Sequence, residues 1–168
     1  MNIILTGFMG TGKTAVGKLL AKKLGYKYID TDYLIEKKEN KRISEIFAAY
    51  GEPYFRDLET GIVKEVGKLD RHVIATGGGI VLRSENMVLL QKNGIIINLS
   101  ANADTVYERI KATDERPLLN KPDPRKEIIN LLKARESFYV KCDFRVNTDG
   151  CIIGEVTDKC LDYIEKKL

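Results

Sequence analysis

The chain has 168 residues, 43% of them apolar and 31% charged, which excludes a disordered or fibrous protein and fits one globular domain. Its 28 Lys and Arg against 24 Asp and Glu leave a formal charge of +4, interspersed in sign and without the basic stripe of a nucleic-acid binder. No apolar run approaches the ~20 residues of a membrane span; Cys142, Cys151 and Cys160 lack the spacing of a metal or disulfide framework, and a reduced cytoplasmic protein without a leader peptide is expected.

In chain order, the apolar run Asn2–Thr6 reads as a buried strand of a parallel sheet. The next residues, Gly7-Phe8-Met9-Gly10-Thr11-Gly12-Lys13-Thr14, match G-x-x-x-x-G-K-[ST] in full. A helical pattern over Lys13–Leu24 follows and stops at Gly25. In this strand–loop–helix context the glycines let successive N–H groups turn toward phosphate oxygens at a positive helix end. Lys13 can reach the β and γ phosphates, and the Thr14 hydroxyl suits Mg2+. Binding of ATP or GTP follows; the reaction does not.

The second strand, Lys27–Asp30, runs into Asp30-Thr31-Asp32. Carboxylates at the carboxyl edge of a parallel sheet face its ligand crevice. There Asp32 would orient or deprotonate an acceptor hydroxyl and Asp30 would hold Mg2+ through water; an aspartate at such a turn also serves as a plain helix cap, and both readings stand. A long helix candidate runs from Ile43 to about Lys68, and the helical stretch at 33–68 as a whole is longer than one crossover needs, so a small subdomain beside the sheet is expected. It carries Gly51-Glu52-Pro53-Tyr54-Phe55-Arg56-Asp57-Leu58-Glu59, where spacing alone makes Arg56 a surface charge with Glu59 as its neighbour on the helix face.

A strand at 73–75 ends on Thr76-Gly77-Gly78-Gly79, three glycines that expose backbone N–H groups and let a ligand come close. Ser84 opens a capped helix over 84–92, followed by a strand at 95–99 and a helix at 102–111. Residues 113–123 hold two prolines and five charged residues without period, a functional or disordered loop. A helix over 124–140 carries Arg135, with Leu131, Leu132 and Tyr139 read as core; a strand at 144–146 and a helix at 152–167 complete the chain. The lone His72 reads as structural. The alternation predicts an α/β fold, a three-layer α/β/α sandwich on a five-stranded parallel sheet.

Together the phosphate loop, DTD at 30–32, GEPYFRDLE at 51–59, GGG at 77–79, RPLL at 116–119 and ARESFY at 134–139 resemble the shikimate kinase family, among the nucleoside-monophosphate-kinase-like P-loop NTPases, essentially end to end. The resemblance implies one kinase domain over 1–168, with a substrate-binding subdomain at about 33–61 and a lid at about 112–124. It implies ATP and Mg2+ as cofactors and transfer of the γ-phosphate to the 3-hydroxyl of shikimate. It also implies a cytoplasmic monomer whose partner is that small molecule, not nucleic acid or membrane. Lys13, Asp32 and Arg116 would be catalytic. Gly10, Thr11, Gly12, Lys13, Thr14, Ala15, Arg109 and Arg116 would hold ATP, with Arg109 stacked near adenine. Asp32, Arg56, Gly78, Gly79, Arg135, Phe47, Phe55 and Glu59 would contact shikimate. Thr14 directly and Asp30 through water would serve Mg2+. The sequence departs from the family at Thr148-Asp149-Gly150-Cys151, where the adenine loop often carries Pro or Arg. The rival readings are a kinase for gluconate or a nucleoside monophosphate, and a nucleotide-binding switch without chemistry.

Overall fold

The computed structural model describes residues 1–111 and 121–167. Strands β1 (Asn2–Thr6), β2 (Lys27–Asp30), β3 (His72–Ala75), β4 (Gly94–Ser100) and β5 (Phe144–Asn147) form one parallel sheet in the order β2-β3-β1-β4-β5. The helices are α1 (Lys13–Leu24), α2 (Thr31–Glu39), α3 (Ile43–Val66), α4 (Ser84–Gln91), α5 (Ala103–Ile110), α6 (Pro124–Tyr139) and α7 (Ile153–Glu165), with a 3-10 turn at Ile80–Leu82.

Central β1 is buried along its whole length, and its side chains alternate between the two faces. Ile4 sits in register with Ile74 of β3 and Ile96 of β4, and this face is closed by apolar residues of α3, α4, α5 and α6. Ile3 and Leu5 point the other way, against Val16 and Leu20 of α1 and Val156, Cys160 and Ile164 of α7. Burying each such side chain is worth about 1.5–3 kcal/mol, so the strand ends that carry the site are held by both layers. At one corner Asn2 Nδ2 donates to the Leu69 carbonyl, while its Oδ1 accepts from the backbone N–H of His72 at 3.0 Å. His72 therefore begins a strand, as expected.

The helical stretch at 33–68 divides into two helices. Asp30 ends β2 and caps α2, its Oδ1 accepting from the N–H groups of Asp32 at 3.0 Å and Tyr33 at 3.3 Å. Inside α3, Gly51 takes φ 78° and ψ 175°, a conformation open essentially to glycine alone. Pro53 then lies in the first turn after the break, where a missing N–H costs nothing. Phe47 before the break and Phe55 after it pack as a tilted pair, ring centroids 4.7 Å apart, and hold the two halves together. One expectation is corrected: Ser84 does not cap α4. It is the first helical residue, extended Arg83 holds the cap position, and no side-chain cap bond forms there.

Candidate active site

The phosphate loop joins β1 to α1 at the carboxyl edge of the sheet. Gly10 and Gly12 have φ of 76° and 96°, which turn the backbone as the motif requires. Gly12 takes the cap position of α1 with no side-chain cap bond among the described residues, leaving first-turn amides, that of Ala15 included, for an anion. Lys13 folds over the loop, its Nζ donating to the carbonyls of Gly7 and Phe8, both at 2.8 Å. Thr11 donates its hydroxyl to the Phe8 carbonyl at 2.8 Å, and buried Phe8 anchors the loop in the core. The carbonyl of Gly10 accepts from Arg109 Nη1 at 3.1 Å. The same guanidinium grips Thr148 through its Oγ1 at 2.9 Å and its carbonyl at 2.8 Å. Arg109 thus bridges the phosphate loop to the loop at 148–151.

The glycines after β3 organise the other half of the site. A Cβ placed on Gly77 would stand 2.5 Å from Asp32 Oδ1 and 3.0 Å from Glu59 Oε1. One on Gly78 would stand 3.5 Å from Arg135 Nη1 and from the Gly7 carbonyl, and one on Gly79 would overlap the Arg56 guanidinium. Three consecutive glycines therefore face two carboxylates, Arg135 with the phosphate loop, and Arg56. The cradle is braced from both sides. Thr31 Oγ1 accepts from the N–H of Gly77 at 3.0 Å, and the Tyr139 hydroxyl donates to the Gly78 carbonyl at 2.7 Å.

Arg56 is no surface charge. Its Nη1 pairs with Glu59 Oε2 at 2.6 Å, and its Nη2 meets Glu52 Oε1 at 3.0 Å, with Arg56 11% and Glu59 1% exposed. Burial works against the Arg56 charge, but Glu59 and Glu52 outweigh it and raise its pKa. Burial also pushes the Glu59 carboxyl up, against the pull of Arg56, Arg135 and Arg83. Among the described residues Glu59 Oε1 has no hydrogen-bond partner, which leaves one buried acceptor aimed at the glycines. Arg135 stands over the Phe8 ring at 5.7 Å. Phe55 is buried beside Arg56, whose guanidinium carbon lies 5.5 Å from the ring centre, and Phe47 packs against Phe55 from the other side of the break.

Asp30 is a helix cap, and its other oxygen, Oδ2, accepts from the Tyr28 hydroxyl at 3.4 Å. Burial and the Asp30 charge push the Tyr28 phenol up to about 12, so it remains a donor at neutral pH. Thr14 stands exposed in the first turn of α1. These oxygens fit a hard cation. Among the described residues no cluster of three or more Asp, Glu, His or Cys could hold a metal alone, so the remaining ligands would be phosphate and water oxygens. Arg116 and residues 112–120 of the expected lid lie outside the described residues.

Spacing alone missed three contributors: Thr31, Tyr139 and Tyr28. For Tyr139 a signal existed, since it follows Arg135 by four residues and so shares its helix face. For the other two none did.

The shikimate kinase family model matches residues 9–165. A shikimate kinase of Thermodesulfovibrio yellowstonii is 48% identical over 165 residues, covering 98% of this chain and 95% of that protein. The solved shikimate kinase of Acinetobacter baumannii, in complex with shikimate, superposes with a TM-score of 0.94 at 34% identity, covering 99% of this chain and 93% of that one. A gluconokinase of Sinorhizobium meliloti has a TM-score of 0.63 at 16% identity, covering 98% of this chain and 91% of that one, and shares the fold alone. Sequence match, fold and the arginine-flanked glycine cradle all agree: the chain belongs to the shikimate kinase family.

Proposed function

We propose that the residues around 77–79 carry out the family's reaction, transfer of the ATP γ-phosphoryl group to the 3-hydroxyl of shikimate. The observation that carries this reading is the convergence of Asp32, Arg56 and Arg135 on three adjacent glycines beside the phosphate loop. Two guanidinium groups facing one cradle suit a carboxylate, which each can bind through two parallel hydrogen bonds. An uncharged alcohol alone gives no reason to set two guanidinium groups on the cradle. Gly78 and Gly79 leave room for the ring, and Asp32 takes the hydroxyl proton as the oxygen attacks phosphorus. The new O–P bond forms as the bond to the β–γ bridging oxygen breaks, and ADP leaves with that electron pair. Lys13 and the first-turn amides of α1 stabilise the negative charge that shifts during transfer. Arg116 is assigned the phosphate-covering role on resemblance alone.

Mg2+ would be held by the Thr14 hydroxyl and, through water, by Asp30, and would supply neutralisation of the phosphates' negative charge. The free thiols support a reducing, cytoplasmic setting and the interspersed charge supports a small-molecule partner over nucleic acid; the monomer rests on resemblance alone. No helix among the described residues is long and apolar enough to cross a membrane.

Release of ADP, followed with a coupled assay, tests the reading. Turnover should require shikimate and should not respond to gluconate or nucleoside monophosphates. Asp32→Asn should lower kcat by about 10²–10⁴-fold while ATP binding persists, the usual contribution of a positioned base. ADP release indifferent to shikimate, or an Asp32→Asn enzyme of normal kcat, would overturn it.

A further inference from the structure

Tyr28 connects the two residues assigned above to the cation side of the nucleotide. Its hydroxyl donates to Asp30 Oδ2 at 3.4 Å, and the Thr14 side chain lies near enough to interact with the same phenol. Asp30 Oδ1 is already committed to the first two amides of α2, among them that of Asp32. A continuous chain of contacts therefore runs from the first turn of α1, through Tyr28 and Asp30, to the turn that carries the candidate base.

The ring that bears this hydroxyl is wedged in place. A Cβ on Gly17 would stand 2.8 Å from Tyr28 Cε2 and 3.2 Å from Leu5 Cδ1, so the ring packs where α1 crosses the sheet. Lys18 Nζ lies over its face at 5.9 Å from the ring centre. A phenylalanine would fill this space equally well. Packing alone thus gives no account of an oxygen that reaches both Thr14 and Asp30.

We propose that Tyr28 is a positioning residue for the divalent cation, its hydroxyl fixing the Thr14 hydroxyl and the Asp30 carboxylate relative to each other. Those two groups come from different elements, α1 and β2, and a small hard cation tolerates little error in the placement of its oxygens. The proposal rests on the reading of Thr14 and Asp30 as the Mg2+ side of the site.

Tyr28→Phe keeps the wedge and removes the one oxygen. ADP binding is measured by calorimetry on wild type and variant, first in EDTA and then across a Mg2+ titration. Wild-type enzyme should bind ADP more tightly as Mg2+ rises. The variant should need about tenfold more Mg2+ to reach half of that tightening, as expected for loss of one hydrogen bond near a charged group, with ADP affinity in EDTA unchanged. Equal Mg2+ midpoints for the two proteins would overturn the proposal. So would ADP binding weakened equally with and without Mg2+, the mark of a merely structural role. If wild-type ADP binding ignores Mg2+ altogether, the cation assignment of Thr14 and Asp30 fails first and carries this proposal with it.

Discussion

Gly79 is a position where a single added methyl would collide with the Arg56 guanidinium. Its φ of −95° and ψ of −1° suit any residue, so the requirement for glycine is steric. An alanine methyl would occupy the space of the Arg56 guanidinium, and the arginine, long and flexible, can swing out and leave the fold intact. Gly79→Ala should therefore raise the shikimate KM about ten- to a hundredfold, the loss of a charge-assisted clamp, with ATP affinity nearly unchanged and the melting temperature lowered because buried Glu59 loses its partner. Steady-state kinetics with each substrate varied decides it, and an unchanged shikimate KM would show that Arg56 does not grip the acceptor. At this scale the site was only partly legible in the sequence. The phosphate loop announces itself because backbone chemistry dictates glycine and lysine at fixed spacing. Arg56 read as surface charge because its burial comes from the glycine loop folding back onto α3, a contact between distant segments. Tyr139 was rightly placed in the core, yet its hydroxyl also holds the Gly78 peptide, and apolar period says nothing about a polar tip.

At the scale of elements, the strands stood out because both faces of the sheet are covered, which forces continuous apolar runs bounded by glycines and charges. The start of the long helix at Ile43 was legible too, but the break inside α3 was not, because it is a backbone conformation and helical period runs on through it. Gly51 and Pro53 mark that break in hindsight, but the same pair also suits an ordinary turn. The break sets the direction of the Phe47 half of α3 apart from that of the Arg56–Glu59 half, which packs against the glycine loop. Gly51→Ala forces a Cβ into φ 78°, ψ 175°, at a cost of about 1–3 kcal/mol. For a domain of this length that is a fall in melting temperature of roughly 3–10 °C. Because the strain is relieved by reorienting the Phe47 half, shikimate KM should rise while kcat with saturating substrate holds. Thermal unfolding together with kinetics checks both parts, and a variant as stable as wild type would mean that the break is not under glycine control.

Across the whole molecule, the question is whether the face opposite the substrate cradle unfolds with the site or apart from it. Cys160 reports on this directly. It is fully buried on α7 against α1 and the central strands, and burial pushes its thiol up to about 12. A protonated, inaccessible thiol does not react, so labelling of Cys160 requires the α1–α7 layer to open. Cys142 and Cys151 are partly exposed and should label first. Helix α1 links the two faces, since its first turn forms the phosphate loop's end and its later turns pack under α7. If opening of that layer is global, ligands that bind only the native state must suppress it by their full binding free energy. With ADP present at a hundred times its dissociation constant, the open population should fall by about 2.7 kcal/mol. Labelling of Cys160, resolved by mass spectrometry of peptides, should then slow about a hundredfold. A slowing of only a few-fold would mean that α7 peels away while the phosphate loop stays formed, and that the layers on the two sides of the sheet are separate cooperative units.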